Sequence, residues 1–195
     1  TVANNFTVNG GTFNMNNATS NALTVNGNVV VSSGKLDLNI GASGTSTLNV
    51  KGNFTVSGTG ITTTEGPGAP NGTINFNGTG TVGSPQTISY TTPTNNIYVN
   101  FAVASGTVVQ MNSNVGLSLW TASSYYGTMT VNSGGTLNMQ DFSFVDETSF
   151  STTGNNTVVV NSGGSVITSH TSGLPGNLSS ANTISSLSSS ANYEF

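Results

Sequence analysis

The sequence predicts an all-β chain, a right-handed parallel β-helix of about seven irregular coils, and three features predict it. A short apolar motif recurs along the chain, its apolar residues alternate with polar ones, and charge is almost absent.

The motif is a pentad of apolar, variable, apolar, Asn, small. It stands as Phe6-Thr7-Val8-Asn9-Gly10, Leu23-Thr24-Val25-Asn26-Gly27, Leu48-Asn49-Val50-Lys51-Gly52 and Ile74-Asn75-Phe76-Asn77-Gly78. Degenerate copies are Ile97-Tyr98-Val99-Asn100-Phe101, Met129-Thr130-Val131-Asn132-Ser133 and Val158-Val159-Val160-Asn161-Ser162. The starts at 6, 23, 48, 74, 97, 129 and 158 are spaced as turns of a three-sided solenoid with loops of varying length. Strand side chains alternate between faces, so the first and third residues of each pentad point inward and the second points out. A second strand follows most pentads, as in Val29-Val30-Val31, Phe54-Thr55-Val56 and Thr136-Leu137-Asn138-Met139. A third begins after Gly34 and after Gly60, and the glycines between strands supply the corners.

The fourth pentad position predicts a structural ladder. Asn tolerates the left-handed backbone region, and its amide can bond its counterpart one coil away. Asn9, Asn26, Asn77, Asn100, Asn132 and Asn161 would then line a corner, interrupted by Lys51. This role is expected of them in preference to ligand binding.

Charged residues are 4% of the chain, against roughly 25% in ordinary soluble domains. The polar surface therefore rests on hydroxyls and amides. Disorder is excluded by the 34% of hydrophobic residues and their regular alternation. Lys35 and Lys51 are the only basic residues and Arg is absent, which excludes nucleic acid as a partner, because a run of phosphates could not be neutralised. Net charge is −4, too small for strong electrostatic steering. Cys is absent, so neither disulfides nor thiolate-bound metals hold the fold. No apolar run approaches the roughly 20 residues of a membrane-spanning helix. The whole of 1–195 reads as a single solenoid segment. With no leader at one end and no strong cap at either, it is expected to continue into a longer polypeptide or to join further subunits.

The Leu-Thr-Val-Asn-Gly-Asn stretch at 23–28, the run from Thr47 to Thr55 and the closing Ser-Ser-Ala-Asn-Tyr-Glu-Phe at 189–195 carry a family likeness. In them the chain resembles the long, repetitive surface and secreted proteins of Bacteroidetes-type bacteria. The resemblance implies an extracellular solenoid at the bacterial cell surface, part of a larger exported chain with structural or adhesive roles.

Sites for chemistry are few, and the chain is expected to be no enzyme and to need no cofactor. Parallel β-helices also host carbohydrate-active proteins, so a carbohydrate-binding or carbohydrate-active module is the alternative. Lyase chemistry of that kind wants calcium-binding carboxylates and a basic residue, and glycoside hydrolysis wants two carboxylates about 5–9.5 Å apart. The densest acidic group is Asp141, Asp146 and Glu147, a candidate calcium or hydrolytic site whose simpler explanation is a solvated loop. His170, the only histidine, is expected in a surface turn. Trp120, Tyr125 and Tyr126 form an aromatic cluster in the longest coil, a candidate surface for glycans or for another subunit, weighed against simple packing on the solenoid wall. Self-association or continuation of the same polypeptide is thus the expected partnership, with surface glycans as the second. The outward pentad position runs Thr7, Thr24, Asn49, Asn75, Tyr98, Thr130 and Val159, too irregular for the flat threonine array of an ice-binding solenoid.

Overall fold

A computed structural model describes residues 1–15, 20–38, 44–63, 72–91, 99–117, 119–120, 125–145, 156–178 and 182–195. In chain order the strands are β1 (Phe6–Asn14), β2 (Asn21–Val25), β3 (Val29–Asp37), β4 (Ser46–Val50), β5 (Phe54–Val56), β6 (Ile61–Thr63) and β7 (Gly72–Phe76). They continue as β8 (Gln86–Tyr90), β9 (Asn100–Val103), β10 (Val108–Met111), β11 (Val115–Gly116), β12 (Leu119–Trp120), β13 (Tyr125–Tyr126) and β14 (Thr128–Val131). The last are β15 (Thr136–Gln140), β16 (Phe144–Val145), β17 (Asn156–Val160), β18 (Ser165–Thr168), β19 (Asn182–Leu187) and β20 (Asn192–Glu194), with one helical turn, α1 (Leu174–Asn177), before β19.

The fold is a β-solenoid of stacked parallel sheets with almost no helix. One sheet runs β2-β4-β7-β9-β14-β17-β19, and the second runs β1-β3-β5-β8-β10-β15-β18-β20. A third side is built from short pieces. The ends of β1 and β3 pair with each other and β6 adds to β3, while farther along β11 pairs with β16 and Phe144 bridges to Leu178.

Alternation fixes what faces the core. β4 and β7 bury their first, third and fifth residues and leave the two between half-exposed, and β9 and β14 follow the same rule. Register then sets like over like. Leu23, Leu48, Ile74, Phe101, Met129, Val158 and Ile184 are successive partners in the first sheet, at steps of 25, 26, 27, 28, 29 and 26 residues. Beside them run Val25, Val50, Phe76, Val103, Val131 and Val160, all buried. Phe76 stacks on Phe101 at 6.5 Å between ring centres and meets Phe54 of the second sheet edge-on at 6.4 Å. These rings span the width of the core and join the two sheets.

The solenoid makes about five turns rather than seven. Two of the seven pentads do not supply a rung where the motif places it. Phe6–Gly10 lies in β1, which belongs to the second sheet and pairs with Val29–Val31. In the fifth coil the strand is Asn100–Val103, so Phe101 and Val103 take the inward positions expected of Ile97 and Val99, and residues 92–98 lie outside the described residues. Among the described residues, named strands complete all three sides in four coils, those that begin at β2, β4, β9 and β14.

Truncating the ring where the sheets meet is expected to be costly. Phe76→Ala should destabilise the chain by about 3–5 kcal/mol in denaturant unfolding, whereas Thr130→Ala, half-exposed on the outer face, should stay within about 0.5 kcal/mol.

Candidate functional site

Corners carry most of the polar order. In the early coils each corner between the two main sheets has three residues, Asn26–Asn28 and Lys51–Asn53. The asparagine that ladders is the last of the three. Asn28 N–H donates to Asn5 Oδ1 at 2.8 Å, Asn53 N–H to Asn28 Oδ1 at 2.8 Å, and Thr87 N–H to Asn53 Oδ1 at 2.9 Å. Glycine in the middle lets the coils close up: a Cβ on Gly52 would lie 2.5 Å from Asn28 Oδ1 and 2.6 Å from the Gly27 carbonyl carbon.

In the later coils the corner has four residues, and left-handed glycines replace asparagine. Gly106, Gly134 and Gly163 all sit at φ near 75°. Their backbones form a second ladder, with Gly106 N–H donating to Gly134 O, Gly134 N–H to Gly163 O and Gly163 N–H to Ser190 O, at 2.9, 2.8 and 3.0 Å.

The six asparagines expected to form one ladder are therefore dispersed. Asn9 lies in β1, where its Oδ1 accepts from Ser32 and Ser33 hydroxyls. The Asn26 backbone N–H donates to Val2 O, and Asn77 Nδ2 reaches Asn49 Oδ1 at 3.3 Å beside the Asn75 amide. Asn100, at the start of β9, accepts the Thr128 N–H. Asn132 and Asn161 do bond each other, at 3.3 Å, and Asn132 also donates to Val103 O. Composition could not reveal which asparagine of an Asn-Gly-Asn corner carries the ladder; its phase follows from where the strand resumes.

The aromatic cluster is brought together in backbone terms. β12 and β13 form a small antiparallel pair, whereas the other paired strands among the described residues run parallel, with Trp120 opposite Tyr125 and Leu119 opposite Tyr126. This hairpin lies in the chain between the third side and β14. Of the acidic group, Asp141 is exposed in the turn after β15, whereas Asp146 and Glu147 lie outside the described residues. Among the described residues no group of three or more His, Asp or Glu could hold a metal ion. His170 sits in a turn before α1, its Nδ1 accepting the Ser172 N–H at 3.1 Å and its ring packed against Gly176.

Three arrangements were not expected. Asp37 is 1% exposed and pairs with Lys35 at 3.0 Å, so one of the two lysines is committed to an internal ion pair. A polar knot holds α1 to the wall: buried Asn177 donates to Gln140 O and Phe142 O, and Thr168 donates to Asn177 Oδ1. Lastly, correct register reveals an outward row in the first sheet that runs Thr47, Thr73, Asn100, Thr128 and Thr157, beside Thr24, Asn49, Asn75, Ala102 and Thr130. Ala22, Ala102 and Val159 interrupt these rows, and the face is uncharged. At the C-terminal edge, Tyr193 donates to Ser188 O, and burial pushes its phenol above the ordinary value.

Compared with known proteins, the chain matches no family model, no curated protein and no solved structure.

The corner ladder invites a direct test. Asn53→Ala strips the acceptor from the Thr87 N–H and should lower stability by about 1–2 kcal/mol, as read by urea unfolding. Gly134→Ala should cost about 1–2 kcal/mol for its left-handed backbone, with the added Cβ pressed to 2.7 Å from Ser105 Oγ.

Proposed function

We propose that the chain is a stiff structural segment of an extracellular, cell-surface protein, serving as a stalk or filament section that holds adhesive parts away from the cell. The observation that carries this reading is the unbroken parallel ladder of the first sheet, in which seven strands keep their apolar columns aligned from β2 to β19. Such a ladder resists extension along its axis, because each coil is bonded to the next by a row of backbone hydrogen bonds rather than by a single linker.

The surface supports the same reading. An uncharged Thr and Asn face has no like-charge repulsion to keep two copies apart, so lateral packing of rods costs little desolvation of ions. The repetitive motifs at 23–28 and 47–55 favour a bacterial surface protein, through their likeness to the Bacteroidetes-type exported proteins. No catalytic role is assigned.

Negative-stain electron microscopy of the purified chain tests the proposal. Short rods that associate in line or side by side as concentration rises are the expected result. Particles that stay separate at every concentration would refute assembly. Trypsin offers a second check. Lys35 is tied into an ion pair, and the exposed Lys51 sits at a corner with its N–H bonded to Val25 O, so the folded chain should survive digestion that cuts the denatured chain at both sites.

A further inference from the structure

One corner breaks the economy of the solenoid. Where other corners between the two main sheets need three or four residues, the connection from β7 to β8 uses nine, Asn77–Pro85. In repeat folds an insertion on a constant frame marks the face that does the binding more often than it marks a defect.

The insertion is a built element. Its base is clamped to the wall, with Gly78 N–H donating to Gln86 Oε1 at 2.8 Å, Thr107 Oγ1 to Gly78 O at 2.7 Å and Val108 N–H to Gly80 O at 3.0 Å. Its tip is a tight hairpin, because Thr81 and Ser84 exchange both backbone hydrogen bonds around Val82 and Gly83. Val82, at the tip, is 70% exposed.

The tip overhangs the outer face of the second sheet. Together, Val82 and outward residues of β15, β18 and β20 line a groove of about 350 Å³, comparable with small-ligand sites. Its floor is Thr136, Ser165 and Asn192 in one row and Ile167 and Glu194 in the next, which follow from the register of the three strands. Asn192 Nδ2 donates to Ser165 Oγ at 3.3 Å, which orients both toward the same row.

We propose that this groove binds a short stretch of neutral oligosaccharide lying across β15, β18 and β20, gripped from one side by the Val82 hairpin. The lining has no cation and one carboxylate, so it disfavours phosphate, sulfate and uronic acid groups. Within the floor β15 and β18 are paired on both sides, so a peptide could add as a strand only at the outer edge of β20, beyond the groove. What remains is a surface of hydroxyl, amide and carboxylate groups interspersed with apolar contacts from Val82, Val166, Ile167 and Tyr193. That combination suits a ligand with many hydroxyls and apolar C–H faces. Three strands span about 10 Å, enough for a short run of sugar units.

The test titrates the intact chain with neutral hexasaccharides of β-1,4-linked glucose, β-1,3-linked glucose and mannose, followed by calorimetry and by amide chemical shifts. Binding by at least one is expected, with shifts confined to residues 80–84 and to β15, β18 and β20. Val82→Asp and Ser165→Tyr should each weaken it by about tenfold or more, with thermal unfolding unchanged. Three outcomes overturn the proposal: no binding across the panel, binding lost in Trp120→Ala but kept in Val82→Asp, or preference for an extended peptide over every sugar. None of them bears on whether the chain forms rods.

Discussion

The rest of the structure depends on the backbone hydrogen bonds that hold each coil one strand spacing above the last. That spacing of about 4.8 Å is shorter than the width of most side chains, so a residue has little choice but to lie above its counterpart. Apolar columns, stacked rings and corner ladders are all answers to this one condition. Leu48 over Leu23 and Phe101 over Ile74 are packed because the ladder leaves no other place for them. The same condition makes polar positions repeat, which is why Asn and Gly recur at corners where a side chain or a left-handed backbone must meet its like.

The repeat was legible because the condition acts on sequence directly. Val25, Val50, Phe76 and Val131 could be assigned to the interior from alternation alone, and they are buried. Phase was harder. Around residue 100 the chain reads Ile-Tyr-Val-Asn-Phe-Ala-Val, one unbroken alternation that does not say where the rung falls along it, and the pairing of Phe101 with Ile74 and Met129 selects the place. Phe6–Gly10 misled for a related reason. A strand of either main sheet alternates in the same way and ends at a similar corner, so the motif does not say which side of the solenoid it occupies.

Function was less legible than fold, since it rests on departures from the repeat. The Trp120 hairpin was visible as an aromatic cluster, but its antiparallel pairing was not, because segments of two residues carry no periodicity. The hairpin at Thr81–Ser84 contains no residue type that signals chemistry. Its interest lies in its length and in the three strands it overhangs, a relation between distant coils that no local pattern records.

Gln86 links these themes. It occupies an inward position, in register with Val109, where an apolar residue would be expected, yet it is 4% exposed and fully engaged. Its amide donates to Val50 O and Gly52 O and its oxygen accepts from Gly78, so a side chain completes bonds that backbone makes elsewhere. It stands where asparagine corners give way to glycine corners, and so acts as an adapter between two styles of coil. Duplication within either half would extend the rod by copying one style of corner onto itself. Recombination that joins the halves at any other point would have to reinvent this adapter, which makes Gln86 the seam that such lengthening must leave intact.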